Sequence, residues 1–285
     1  MTILNETYTL SNGAEIPKLG LGTWFIEDDE AATAVRAAIE IGYRNIDTAQ
    51  AYGNEGGVGE GVRTSGVPRE ELFVSTKLAA EIKDYDAARA AIDESRQTMG
   101  LDYVDLMLIH APQPWDDFRG GDYADGNRAA WRALEEAHQA GKIRSIGVSN
   151  FLPADLDNIL QNSTIAPHVN QILVHAGNTP SELIGYCQSK GILVEAYSPI
   201  AHGEILGNAE LATIAERYAV SVPQLCIRYT LQLGTVSLPK TANADHMRTN
   251  AQVDFTISDE DMNALRSLDE RDYGDSTAFP VYSGK

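Results

Sequence analysis

The chain has 285 residues, 43% of them hydrophobic, with 41 acidic against 22 basic side chains and a formal net charge of −19. A surface that acidic argues against nucleic acid and anionic membranes as partners, and any anionic ligand must be held by a local positive patch against the overall field. No apolar run approaches the ~18 residues of a membrane span, and the length suits one barrel-sized domain, taken here as 1–285.

The opening stretch, MTILNETYTLSNG, has neither a basic nor an apolar leader region, so a cytoplasmic protein without a signal peptide is expected. It reads instead as a hairpin: YTL, a turn at Ser11, Asn12 and Gly13, then AEIP. Asn-Gly between apolar residues is a strong short-range hairpin signal. Short apolar runs follow near 18–22, 43–47, 72–77, 104–110, 143–149, 168–172, 192–197 and 235–239. Helical periodicity fills most of the gaps. Asp29 to Ile41 begins acidic, carries Ala34, Val35, Ala38 and Ile41 on one face, and stops at Gly42. Similar stretches lie near 85–99, 124–140, 153–161, 181–190, 223–233 and 243–251. Cys187 and Cys226 fall in such stretches without metal-ligand spacing and read as buried thiols of a reducing compartment.

Eight strand-like runs alternating with helices predict an α/β fold, a (β/α)8 TIM barrel with an N-terminal β-hairpin. The rival is an open doubly wound sheet, which usually carries a Gly-rich phosphate loop after its first strand. GNEGGVGEG (53–61) does not fit that pattern and follows the second strand.

In such a barrel the chemistry lies where strands end. Asp47, Lys77 and His110 close the second, third and fourth runs, and Tyr52 follows the second. Singly each has a plain explanation: a turn cap, a solvated strand end, a core histidine, a surface aromatic. Together, at adjacent strand ends, they form a proton-transfer set. Lys77 is expected to draw the Tyr52 phenol from about 10 toward neutrality, which needs about 4 kcal/mol of differential stabilisation. Asp47 would hold Lys77 charged.

With LSNGAEIPKLGLGTW, GYRNIDTAQAYGNE, FVSTK, LMLIH, IRSIGVSNF, VNQ, EAYSPI and SLPKT, the chain resembles the aldo-keto reductase superfamily from residue 10 to about Asn250. Within it, the resemblance is to the prokaryotic branch of aldehyde and 2,5-diketo-gluconate reductases. That implies NAD(P)H-dependent reduction of an aldehyde or ketone, with Asp47, Tyr52, Lys77 and His110 as the catalytic set, Tyr52 giving the proton and a neutral His110 orienting the carbonyl. It implies nicotinamide-carboxamide contacts from Ser149, Asn150 and Gln171, with Tyr197 stacked on the ring. Ser198 to Leu206 would cover the pyrophosphate. Lys240 and Thr241 would meet the 2′-phosphate and Asn250 the adenine. Members that prefer NADPH usually have an arginine at the position of His246. An imidazole lacks the fixed charge and bidentate fork of arginine, so use of NADPH, with NADH also accepted, is expected.

Trp24 matches a family position in the substrate pocket. Ala111 stands where many relatives have tryptophan, which suggests a roomier pocket. Trp115 either fills that space or points away. The acidic Asp116 and Asp117 would disfavour carboxylated substrates. The tail DYGDSTAFPVYSGK resembles the family's variable pocket-closing loop, with Phe279 and Tyr282 as lid aromatics. The partner expected is a small-molecule carbonyl substrate bound by a monomer. A non-catalytic nicotinamide-sensing barrel is the alternative, and a Schiff-base aldolase using Lys77 is a third reading.

Overall fold

The computed structural model describes residues 2–283. The chain opens with two short antiparallel strands, β1 (Thr7–Thr9) and β2 (Glu15–Pro17), which pair Tyr8 with Ile16. Gly13 takes φ +85° in the turn, and Leu10 N donates to Ala14 O at 2.8 Å. Asn12 Nδ2 reaches the carbonyl of Arg144, at the foot of a barrel strand. Leu10 and Ile16 pack on Phe73, Leu106, Leu108, Val169, Val236 and Leu238. The hairpin thus plugs the end of the barrel at which the strands begin.

Eight parallel strands follow in chain order: β3 (Gly20–Gly22), β4 (Asn45–Asp47), β5 (Phe73–Leu78), β6 (Val104–Ile109), β7 (Ile143–Ser149), β8 (Val169–Leu173), β9 (Leu193–Tyr197) and β10 (Val236–Leu238). Bridges of Leu19 with Ser237 and Gly22 with Lys240 join the first strand to the last. The fold is the expected (β/α)8 barrel. Around it run α1 (Asp28–Ile41), α2 (Glu55–Arg63), α3 (Tyr85–Met99), α4 (Ala124–Gln139), α5 (Pro153–Leu160), α6 (Ser181–Ser189), α7 (Ala209–Arg217), α8 (Val222–Gln232), α9 (Ala244–Asn250) and α10 (Asp259–Ser267). Among the described residues no helix is long and apolar enough to cross a membrane.

The apolar faces of the helices meet the outer faces of the strands in the main core, where Trp131 is buried and its indole N–H reaches Ile165 O at 3.0 Å. Local signals set the ends of several helices. The Asp84 carboxylate caps α3 at the amides of Asp86 and Ala87, and Gly42 ends α1 with φ +119°.

Three helices depart from the sequence reading. The α2 segment, given no element in the sequence reading, is helical despite four glycines. A Cβ on Gly57 would lie 2.0 Å from Asp28 O, and one on Gly59 would lie 2.1 Å from Met99 O. Glycine costs about 1 kcal/mol in a helix interior, yet here it permits backbone contact with α1 and α3. α7 and α10 add a second helix between β9 and β10 and another after α9, which a one-helix-per-strand count does not foresee.

Candidate active site

Strand alternation turns Asp47 and Lys77 toward the barrel axis, at the end where the strands finish. Lys77 is 1% exposed. Its Nζ donates to Asp47 Oδ1 and Oδ2 at 2.8 and 2.7 Å, to Thr48 O at 2.9 Å and to Tyr52 Oη at 3.3 Å. Burial works against the ammonium, but Asp47 and Tyr52 more than offset it, and the Lys77 pKa lies above the usual lysine value. Such an amine is not a free nucleophile, which removes the Schiff-base reading.

Tyr52 sits in the 3-10 turn Gln50–Tyr52 after β4. Here the sequence expectation is corrected. Burial of the hydroxyl outweighs the pull of Lys77, with Asp47 adding to the rise, and the phenol is held above its ordinary value rather than near neutrality. Water exclusion penalises the phenolate by more than one ammonium, itself paired to a carboxylate, can recover. Tyr52 therefore carries its proton throughout the neutral range.

His110 follows β6 directly, with its ring edge-on to Tyr52 at 5.7 Å between centroids. Burial, with Lys77 and Lys83, pushes its pKa well below the usual value, so the imidazole is neutral. Its Nδ1 is buried without a hydrogen-bond partner among the described residues.

The three expected carboxamide contacts form one cluster. Ser149 Oγ donates to Gln171 O at 2.8 Å. Asn150, at φ +61°, gives its Nδ2 to His110 O and Ser149 Oγ, both at 3.1 Å, while its Oδ1 accepts from Tyr197 Oη at 2.7 Å. Gln171 Nε2 donates to Asp47 Oδ1 and Glu195 Oε2, both at 2.9 Å. Both amide hydrogens point into the barrel, and Gln171 Oε1 is left for a ligand. Lys240 lines the same cavity and has no ion-pair partner among the described residues. An amide acceptor deep in the cavity and a lysine at its edge suit a nicotinamide carboxamide and a phosphate, so the residues fit such a cofactor. Thr241 and the exposed His246 lie outside the cavity lining, Asn250 is buried at the end of α9, and Arg248 pairs with Asp245 at 2.9 Å.

The cavity holds about 640 Å³ and is walled by Trp24, Phe25, Tyr52, His110, Trp115 and Tyr282 among others. Trp115 turns inward and meets His110 edge-on at 5.1 Å. Ala111 does not line the cavity. It is fully buried with Ala80 and Phe118, under the edge of Trp115, and its carbonyl accepts from Lys83 Nζ at 2.7 Å. The described tail enters the cavity through Phe279 and Tyr282, Tyr282 Oη lying 2.9 Å from Ser198 Oγ. Gly284 and Lys285, its last two residues, lie outside the described residues. His175, buried and neutral, ties the tail down through Tyr273 Oη at 2.9 Å from its Nε2.

The aldo/keto reductase family model matches residues 18–270. The chain belongs to that family. It is 43% identical to the glyoxal reductase of Bacillus subtilis, over 95% of this chain and 96% of that one. Among solved structures it is similar to the Bombyx mori aldo-keto reductase in complex with NADP (TM-score 0.86, 36% identity, 97% of this chain and 98% of that chain). A Brucella melitensis aldo/keto reductase matches equally well (TM-score 0.86, 38% identity, 93% and 99%). This aldo-keto reductase is an NADP(H)-dependent oxidoreductase that reduces carbonyl groups.

Three residues of the reductase escaped the sequence reading. Phe25, at φ +59° and 56% exposed, stacks on Trp24 at 4.3 Å at the cavity mouth. Arg119 ties the loop after β6 to Asn150 O at 2.6 Å and to Asp155 at 2.8 Å. Glu195 is wholly buried in the barrel. Only Glu195 had a readable signal: a carboxylate on an otherwise apolar barrel strand, two residues before Tyr197.

Proposed function

We propose that this reductase acts on small, uncharged or weakly polar aldehydes and dicarbonyls, with Tyr52 as proton donor. The observation that carries this reading is the junction at Lys77, whose ammonium touches Asp47 and Tyr52 at once. When bound, reduced nicotinamide supplies a hydride to the carbonyl carbon. Tyr52 then passes its proton to the carbonyl oxygen, which needs only an acid stronger than the alcohol formed. Lys77 stabilises the phenolate left behind, and Asp47 keeps Lys77 charged and placed. Neutral His110 hydrogen-bonds the substrate oxygen, and Trp24 and Trp115 pack on the substrate's carbon frame.

Gln171 Oε1 accepts from the carboxamide, helped by Ser149 and Asn150, and Tyr197 and Ser198 border the nicotinamide. Lys240, Thr241, His246 and Asn250 hold the adenosine phosphate end. NADPH is the main cofactor and NADH is also accepted, because His246 offers no permanent charge. The aromatic wall favours substrates without a carboxylate; Asp116 and Asp117, expected from the sequence to repel them, lie outside the cavity lining, with Asp117 bound to Tyr123 Oη. The Bacillus subtilis relative named glyoxal reductase supports the dicarbonyl class. The chain works as one barrel domain over 1–285, as a cytoplasmic monomer without nucleic acid or membrane partners. The relatives named as reductases disfavour the sensing alternative.

The test is oxidation of NADPH and NADH in parallel across aldehydes, dicarbonyls and carboxylated carbonyls. Turnover of glyoxal-like and neutral aldehydes above carboxylated ones is expected. A preference for carboxylated substrates would overturn the pocket reading.

A further inference from the structure

Glu195 lies on β9 inside the barrel with no exposure to solvent. Its Oε2 accepts from Gln171 Nε2 at 2.9 Å, and its Oε1 has no partner among the described residues. The same Nε2 donates to Asp47 Oδ1 at 2.9 Å, and Asp47 in turn holds Lys77. A line of contacts therefore runs from β9 through β8 to β4 and β5: Glu195, Gln171, Asp47, Lys77.

Two consequences follow from elementary chemistry. An amide NH2 has two hydrogens, and both are taken by carboxyl oxygens, so the carbonyl of Gln171 can only face the cavity. A carboxylate sealed from water with one oxygen unpartnered is also poorly stabilised. It sits beside a second carboxylate, Asp47, while the one ammonium is already held in a two-point contact. The structure favours a protonated Glu195 next to the Asp47–Lys77 pair.

We infer that Glu195 is a positioning residue of the reduction, fixing the Gln171 amide for the cofactor and, through its own protonation, setting how far Lys77 can assist Tyr52. With the proton on, the Asp47–Lys77 pair is electrically balanced. With it off, a second negative charge faces Lys77 and opposes the transfer of the Tyr52 proton. Burial and then Asp47 push the Glu195 carboxyl up to about 7, with Gln171 and Lys77 opposing.

The groups that face Glu195 are Asp47 from β4, Lys77 from β5 and Gln171 from β8. β10 brings the neutral Val236 and Leu238 before Lys240, and β3 brings glycines. Above them stand Tyr52, Tyr197 and the neutral His110. Burial raises both phenols and lowers the imidazole, so these three keep one charge state in the neutral range, while burial also lowers the Lys240 ammonium at the cavity edge. The inference rests on the reading that Gln171 meets the nicotinamide and Tyr52 gives the proton.

The test compares the full-length protein with Glu195→Gln and Glu195→Leu. Three quantities are read: kcat against pH, NADPH affinity by fluorescence, and Tm against pH without cofactor. The native protein is expected to lose kcat as pH rises through about 7, and Glu195→Gln, which cannot ionise, to lose that decline. Glu195→Gln still offers Gln171 an acceptor, so its NADPH affinity stays within about threefold of native. Glu195→Leu frees the amide and weakens NADPH about tenfold.

Because the folded pKa is raised, the native protein forfeits stability as pH climbs from the unfolded value to about 7. The Tm of Glu195→Gln should therefore gain on native between about pH 5 and about pH 8. Superimposable pH profiles and parallel Tm curves for native and Glu195→Gln would overturn the inference, and these decide it even if Glu195→Leu fails to fold. If the native protein turns over no carbonyl, the proposed function fails, while the affinity and Tm comparisons still judge Glu195.

Discussion

The Lys77 ammonium stands 3.3 Å from the Tyr52 hydroxyl while it grips both oxygens of Asp47. One buried cation thus has two duties. The balance between them explains why the phenol rests above its usual pKa and how, in the proposed role, it can still serve as an acid. Lys77 does not make phenolate at rest. In the proposed mechanism it lowers the cost of phenolate at the moment the proton leaves.

Lys77→Met should be costly in stability as well as in activity. It leaves Asp47 buried without its counter-charge, worth about 3–5 kcal/mol, or a Tm loss on the order of 10 °C for a chain of this size. The folded Lys77 pKa is raised above the lysine reference of 10.5. The native pair's contribution is therefore complete below that value and lost only as pH rises beyond it. In the variant, Asp47 can take up a proton at low pH, so the Tm deficit should narrow in acid. A variant as stable as native across the neutral range would show that the pair does not hold the strand ends together.

His246→Arg places a permanent charge with a bidentate fork where an imidazole now stands exposed on α9. The ratio of kcat/KM for NADPH over NADH should rise about tenfold, a gain of about 1.4 kcal/mol toward the 2′-phosphate. The native ratio should be modest. A native preference near a thousandfold would mean that phosphate recognition is already complete without residue 246.

Gly57 and Gly185 both sit within helices, yet opposite outcomes are expected from the same substitution. Gly57→Ala drives a Cβ to 2.0 Å from Asp28 O, so Tm should fall although alanine is the better helix former. At Gly185 on α6 nothing lies within 4 Å of an added Cβ, and Gly185→Ala should add about 0.5–1 kcal/mol. Thermal melts of the two variants check this, and a stabilising Gly57→Ala would refute the packing account of α2.

That contrast shows where the sequence could be read and where it could not. The strands, and Asp47, Lys77 and His110 at their ends, follow from apolar runs of fixed spacing and from the rule that barrel chemistry sits where strands finish. The α2 helix could not be seen this way. Its glycines look like loop until the approach of Asp28 and Met99 is known, and that is a long-range fact. The Tyr52 pKa failed for a similar reason: residue types announce the attraction of Lys77, but only the fold reveals how completely water is excluded. Ala111 was read by position along the chain, whereas the cavity wall is set by Trp115 folding back over it.

The central claim is that Tyr52 gives the proton, and Tyr52→Phe tests it most directly. NADPH oxidation by an aldehyde should be followed beside NADPH binding by fluorescence. In Tyr52→Phe, kcat should fall by about 10²–10⁴-fold with NADPH affinity unchanged, because the ring stays and only the hydroxyl is lost. Turnover within a few-fold of the native protein would show that another group supplies the proton.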